Sequence, residues 1–461
     1  MLFPTLTFAV FFAIIYGAHV VLRTRTTAWK LFMIGASYVF YGWWNWRFCA
    51  LIAGSTAVNW LLADAIQDAS GRKRRRLTSL TVVANLSVLG LFKYYDFFVV
   101  SAFNATNGAI DMPILAFVLP VGISFYTFQA LSYVLDISRR DLKPAALIDF
   151  AFYLAFFPQL VAGPIVRAKE FIPQLERHRQ PRDVDLTTAL WLIGRGLFKK
   201  VVVATYLSTA VVDNAFGAPT AASREELLLG FYGYAIQIYA DFSGYTDIAI
   251  GIALLLGFEF PQNFDRPYSA LSIQDFWRRW HITLSTWLRD YLYISLGGNR
   301  GGTLLTTRNL LITMGLGGLW HGASWTMVGW GLIHGVALVV ERLLRSSARV
   351  PGLPTAVRWF VTFHLVSIAW VLFRADSFSA ATDYLTGLFS APFGGDINNV
   401  AVLLIVVSLV AQLVPPGIGT IARAQLRRQA PAVQGVMAGL WIWLVITLGP
   451  AGVAPFIYFQ F

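Results

Sequence analysis

The sequence predicts an all-α integral membrane protein that crosses the bilayer many times, and three observations carry this reading. Charged residues make up 13% of the 461 residues and hydrophobic ones 57%, whereas soluble domains are roughly 25% charged. Long uncharged runs recur along the whole chain, too evenly spread to be the cores of separate soluble domains. The 36 Lys and Arg against 24 Asp and Glu give a net charge of +12, but the basic residues sit in short patches between apolar runs. That is the pattern of membrane topology, so a lipid bilayer is the expected partner and nucleic acid is not. The single cysteine, Cys49, cannot form an internal disulfide, and no Cys/His cluster has zinc-ligand spacing, so no metal is expected.

The uncharged runs fall at 3–22, 31–46, 48–63, 77–92, 112–135, 150–166, 309–340, 397–422 and 429–461, with interrupted ones near 187–212, 227–258 and 359–373. At about twenty apolar residues per crossing, they provide roughly ten crossings. The first run begins at Phe3 with no basic n-region and no small-residue cleavage pattern before Arg23, so it reads as a retained helix. Basic clusters at Arg23, Arg25 and Lys30, at Arg72 to Arg76, at Arg139, Arg140 and Lys143, and at Arg423, Arg427 and Arg428 are assigned to the cytoplasm. The stretch 375–422 carries Asp376, Asp383 and Asp396 but no Lys or Arg until Arg423, and is assigned outside. Both chain ends then come out extracytoplasmic.

The run 150–166 conflicts with this count, because one full crossing would put Arg167, Lys169, Arg177, Arg179 and Arg182 outside. It contains Pro158, Gly163 and Pro164, so it is expected to dip into the bilayer and return. Irregular backbone survives at that depth only where protein or a water-filled cavity covers it. With no internal repeat and no soluble stretch longer than 259–303, the chain reads as one polytopic domain over 1–461.

Within 259–303, a mixed helix is expected over 270–296. It holds Trp277, Arg278, Arg279, Trp280, His281, Ser285, Trp287, Arg289 and Asp290. Trp277, His281 and Ser285 recur at i, i+4 and i+8 on one face, Asp275 can pair with Arg279, and Arg278, Ser285 and Arg289 form a neighbouring polar stripe. Such a helix suits an interfacial position, with tryptophans at headgroup depth. It equally suits a pocket wall whose arginines attract an anion and whose histidine orients a substrate.

The segment 309–340 has no formal charge and places Gly315, Gly317, Gly318, Leu319, Trp320, His321 and Gly322 at its middle. Arg308 precedes it, and Arg342, Arg345 and Arg349 follow, so both ends are assigned to the cytoplasm and the segment folds back with His321 deep in the bilayer. An intramembrane histidine is costly unless it lines a wet cavity or finds a partner, which makes His321 a functional candidate. His19, His334 and His364 lack this glycine and tryptophan setting and read as helix–helix hydrogen bonds. Asp241 and Asp247, in YADFSGYTD, interrupt another apolar run and serve either as ion-pair partners of the arginines above or in a direct substrate role. No G-x-S-x-G, HExxH or P-loop is present. A neutral imidazole suits removal of a hydroxyl proton during attack on a carbonyl, typically worth ~10²–10⁴ in rate.

Five blocks carry a resemblance: VGISFYTFQALSYVLDI (121–137), FFPQLVAGPIVR (156–167), QIYADFSGYTDIAIG (237–251), FDRPYSALSIQDFWRRWHITLSTWLRDYLYISLGGNRGG (264–302) and GLWHGASWTMVGWGLIHG (318–335). In this order the chain resembles a bacterial membrane-bound O-acyltransferase (MBOAT), nearest the alginate O-acetyltransferase branch. The resemblance implies a ring of transmembrane helices, with re-entrant segments, around a central funnel. It maps the family's essential embedded histidine onto His321 and a second polar position onto His281. It also implies no bound cofactor, acetyl-CoA as acyl donor, with its phosphates near the basic residues of 278–300, and a pocket that includes Asn299 and Trp320.

The acceptor would be a hydroxyl of an extracytoplasmic polysaccharide, with alginate, cellulose and peptidoglycan all compatible. A separate esterase-like partner would complete transfer, and the protein would sit in the bacterial inner (plasma) membrane. The closing FIYFQF (456–461) resembles a terminal motif of cell-surface acylation systems, making Tyr458 either an acyl relay or an aromatic interface anchor. Two other functions fit the residues. One is D-alanyl transfer from a carrier protein, which would need a cytoplasmic docking surface. The other is a glycan or acyl-group transporter with the embedded His and Asp as a proton relay, against which the lack of inverted repeats counts.

Overall fold

The computed structural model describes residues 1–161, 163–176, 184–346, 352–415, 417–450, 452 and 456–457. Every regular element among the described residues is helical and none is a strand. Arg177, Arg179, Arg182, Arg349 and Tyr458, singled out above, lie outside them.

Six helices are long and apolar enough to cross a membrane: Thr26–Asp68, Gly71–Ala105, Arg224–Leu255, Trp325–Arg345, Thr355–Arg374 and Pro431–Leu448. A seventh is added if the bent pair Asn399–Leu413 and Gly417–Arg427 counts as one span. The sequence count of about ten is larger for a physical reason. Thr26–Asp68 counts as one span of 43 residues and takes in two of the uncharged runs, although Thr26–Asn45 and Cys49–Asp68 are two helices joined through an extended Asn45 and the short turn Trp46–Phe48, and Leu6–Leu22 is short, at 17 residues. Val436, Leu440, Trp443 and Ile446 are exposed at helical spacing on Pro431–Leu448, a stripe that hydrocarbon covers at no cost.

The helices group into two compact units, Met1–Leu186 with Ala249–Pro261 and Thr187–Ile248 with Gln262–Phe461. In the first unit, Leu6–Leu22 starts on Thr5, whose hydroxyl accepts from the Phe8 amide at 3.3 Å. Phe8, Phe11, Phe40 and Phe157 then pack with ring centroids 5.4 to 6.2 Å apart. The Leu147–Ala155 helix has nine residues, a rise of about 14 Å, less than half the hydrocarbon core. Pro158 opens the short turn that follows, and residues 152–161 are buried, so protein covers this irregular backbone. Gly122, at φ 75°, admits the turn: a Cβ there would stand 2.3 Å from the Leu160 carbonyl oxygen.

The second unit contains Leu186–Leu197 from Thr187 onward, Arg224–Leu255 up to Ile248, and the hairpin of Thr303–His321 with Trp325–Ser346. Thr355–Arg374, Phe378–Ser390, Asn399–Leu413, Gly417–Arg427 and Pro431–Leu448 complete it. The hairpin is set by glycine. A Cβ on Gly318 would lie 2.1 Å from the Met327 carbonyl oxygen, and one on Gly331 would lie 2.2 Å from that of Met314. The two backbones therefore touch, the small-residue packing that replaces hydrophobic drive inside lipid.

Candidate active site

The hairpin brings His321 to its turn. His321 is the last residue of Thr303–His321, and Gly322 leaves the helix in an extended conformation at φ −153°. The imidazole is buried at 3% exposure. Trp320, Trp330 and Phe373 stand around it with ring centroids at 5.0, 5.1 and 5.4 Å. The centroid of His281 is 6.4 Å away.

His281 reaches this position through a break in the chain. The mixed helix expected over 270–296 is interrupted: Ile273–Arg279 ends, Trp280 is extended, His281 is left-handed at φ 42°, and Ile282–Trp287 begins a new helix. Trp277, His281 and Ser285 therefore do not share one helical face. The break is held by Asn263. Its backbone oxygen accepts from the Ile282 amide at 2.9 Å, and its side-chain oxygen accepts from the Thr283 amide and hydroxyl at 3.2 and 2.9 Å. His281 Nδ1 meets the same oxygen at 3.1 Å.

An amide N–H can only donate, so this Asn263 atom is the carbonyl oxygen, and Nδ1 must carry the proton. A neutral His281 ring then has its lone pair on Nε2. Asn263 was not singled out in the sequence. Its only signal was its place in the Phe-Pro-Gln-Asn-Phe-Asp turn.

A cavity of about 770 Å³ opens in the same unit, within the usual range for small-molecule sites. Trp277, Arg278, Ser285 and Arg289 line it, and so do Arg342 and Arg345. Four arginines against one glutamate, Glu341, give its wall a net positive charge. Thr313 and Met314 also line it, and Met314 lies two helical turns, about 10 Å, before His321. Tyr293 shares the wall; burial raises its phenol above the ordinary value, against the opposing charge of Arg342, so it remains a neutral hydroxyl.

The other predicted site residues do not line this cavity. Arg279 pairs with Asp275 at 2.9 Å, as expected, and approaches Asp265. Trp280 is buried against Trp370 and Phe264, at 4.9 and 5.1 Å. Trp287 packs on Tyr291 at 5.1 Å, and Asp290 pairs with Arg289 at 2.6 Å. Asn299 is exposed in the loop after Tyr293. Trp320 touches both histidines, at 5.0 and 6.0 Å.

Asp241 and Asp247 are ion-paired, but with other partners than expected. Asp241 meets Lys200, and Asp247 meets Arg195 and Lys199 at 2.6 and 2.9 Å. These cations come from Leu186–Leu197 and the π turn Phe198–Ala204, which approaches the aspartate helix where Gly196 faces Gly244. A Cβ on Gly196 would stand 2.5 Å from the Gly244 oxygen.

Of the remaining histidines, His19 accepts from Trp29 at 3.0 Å and His364 meets the Tyr232 hydroxyl at 3.1 Å, both helix–helix hydrogen bonds as expected. His334 departs from the expectation: among the described residues neither ring nitrogen has a hydrogen-bond partner. It sits instead among Trp330, Trp277 and Phe276, at 5.0, 5.2 and 6.0 Å.

A multi-pass helical membrane protein with two enclosed imidazoles and a cation-lined cavity on the same helices carries the groups that a membrane-embedded transferase needs. Residues 31–374 match the model of the MBOAT, membrane-bound O-acyltransferase family, and the chain belongs to that family. It is similar to a probable alginate O-acetylase of Azotobacter vinelandii, 38% identical with 94% of each chain covered. It is also similar to a probable alginate O-acetylase of Pseudomonas aeruginosa, 45% identical over 78% of this chain and 70% of that one. A peptidoglycan O-acetyltransferase of Helicobacter pylori is 39% identical over 78% of this chain and 73% of that one. The protein is thus a membrane O-acyltransferase, which displaces the transporter reading.

Proposed function

We propose that the protein moves an acetyl group from cytoplasmic acetyl-CoA toward hydroxyls of an extracytoplasmic polysaccharide, in the bacterial inner membrane, with a separate esterase-like protein completing the transfer. The observation that carries this reading is the arginine-lined cavity ending two helical turns from a buried pair of imidazoles. The cavity's charge suits the phosphates of a nucleotide thioester. His321 would take the proton of the attacking hydroxyl as its oxygen bonds to the thioester carbonyl, and the thiol would leave carrying a proton. His281, its tautomer fixed by Asn263, would accept or donate a hydrogen bond through Nε2. Tyr458 would relay the acyl group outward. The names of the alginate and peptidoglycan relatives support a polysaccharide acceptor.

The test is purified protein in lipid with labelled acetyl-CoA and, separately, a D-alanyl carrier-protein thioester. Label transfer and free CoA from the first alone are expected. Turnover of the carrier thioester alone would replace acetyl with D-alanyl transfer.

A further inference from the structure

Asp241 and Asp247 are both buried acids on Arg224–Leu255, yet their surroundings differ. Asp247 is matched by Arg195 and Lys199, with Lys199 also reaching Ser243 at 3.1 Å. That cluster braces the close approach at Gly196 and Gly244 and leaves its acid fully engaged by cations. Among the described residues Asp241 pairs with one cation, Lys200, through Oδ1, and its Oδ2 accepts from the backbone N–H of Ile457 at 2.8 Å. Those two residues are 216 positions apart in sequence.

The contact is more than one hydrogen bond. Phe456 is buried, with its ring 4.8 Å from Tyr245 and 5.7 Å from Phe242. Phe242 in turn stands 4.7 Å from His281. Asp241, Phe242 and Tyr245, at i, i+1 and i+4 of one helix, thus form a polar and aromatic seat for residues 456–457, whose far wall touches His281. Lys200 is presented to this seat by the π turn Phe198–Ala204, which shifts the helix register where the cation is needed.

We propose that the Lys200–Asp241 pair and its two aromatic neighbours are a docking site for the 456–457 segment, and that Asp241 is a positioning residue for acyl transfer, acting through that segment. Ile457 is bound through its backbone N–H, so the site fixes where the chain runs immediately before Tyr458. Only the consequence for transfer rests on the proposed function; the docking stands apart from it.

The test uses the full chain in a Cys49→Ser background with Ile457→Cys, so that the introduced thiol is the sole one and reports the burial of the segment. Its labelling rate by a membrane-permeable maleimide is compared across the parent, D241N/K200M and D241L/K200M, at equal folded protein by gel filtration. The asparagine keeps an oxygen for the Ile457 N–H, whereas leucine fills the space without one. Slow labelling is expected in the parent and in D241N/K200M, and labelling at least about tenfold faster in D241L/K200M, as a segment released from its seat samples solvent. Equal rates in the parent and D241L/K200M would overturn the docking site. Acetyl transfer is expected to fall as the segment is released and to be lost in D241L/K200M. Full transfer in D241L/K200M despite fast labelling would overturn the positioning role. A parent that labels slowly but transfers no acetyl group would count against the donor reading and leave the docking result standing.

Discussion

Asn263 holds His281 through an oxygen that also takes the amide and hydroxyl of Thr283, at 3.1, 3.2 and 2.9 Å. One side chain thereby fixes the imidazole tautomer and the left-handed break that aims the ring. Replacing it by alanine leaves buried donors on Thr283 and His281 unsatisfied, at about 1–3 kcal/mol each, and frees a ring whose misplacement by about 1 Å costs about a hundredfold in rate. Asn263→Ala is therefore expected to lower acetyl transfer about a hundredfold at equal folded protein, measured with labelled acetyl-CoA. A rate within threefold of the parent would detach His281 from the chemistry.

His321→Ala removes the imidazole at the hairpin turn but leaves Gly318 and Gly331, which set the hairpin, untouched. Loss of transfer by ~10²–10⁴ is expected, the usual worth of a general base, with an unchanged elution profile. His321→Gln, which keeps polarity but cannot take up a proton, should be equally inactive.

How far the site was legible in the sequence follows the range of the interactions that build it. His321 could be found because its glycine and tryptophan neighbours are local, and the membrane class because composition is global. The break at His281 could not: helical periodicity continues through 273–287, and what interrupts it is Asn263, 18 residues upstream. The same holds for the acids. Ion pairing of Asp247 was expected with the arginines at 278–289, because its actual partners Arg195 and Lys199 lie 52 and 48 positions away; those arginines turned to the cavity or to Asp275 and Asp290.

Gly318→Ala places a methyl carbon where the Met327 carbonyl oxygen stands at 2.1 Å, so the two helices must part or bend. Overpacking of this kind costs about 1–3 kcal/mol. A lower melting temperature and reduced yield are expected by fluorescence-detected gel filtration, with Gly315→Ala, whose nearest neighbour is a leucine methyl at 3.4 Å, close to the parent.

Arg278 and Arg342 both line the cavity. If their charge serves the donor's phosphates, Arg278→Gln and Arg342→Gln should each raise the KM for acetyl-CoA several-fold to about tenfold while leaving kcat near the parent, the signature of lost uniform binding. The parent's KM should rise with salt as the Debye length falls from about 10 Å at 0.1 M toward 3 Å at 1 M, and the variants should respond less. A KM indifferent to both changes would move the donor away from this cavity.

His334 provides the contrast to His321 on the same hairpin. It is fully buried, stacked at 9° on Phe276, and neither nitrogen has a hydrogen-bond partner among the described residues. A buried polar group left in that state costs about 1–3 kcal/mol, while its ring contacts return about 0.5–1.5 kcal/mol. Leucine is close to histidine in volume and carries no polar atom, so His334→Leu exchanges the penalty for an apolar contact at little packing cost. The variant is expected to melt at or above the parent temperature and to retain transfer, where His321→Ala loses it. A drop in stability, or inactivation comparable to His321→Ala, would mean that the His334 ring gains a partner once the donor is bound, and would extend the chemical site from the hairpin turn into the aromatic cluster behind Trp330.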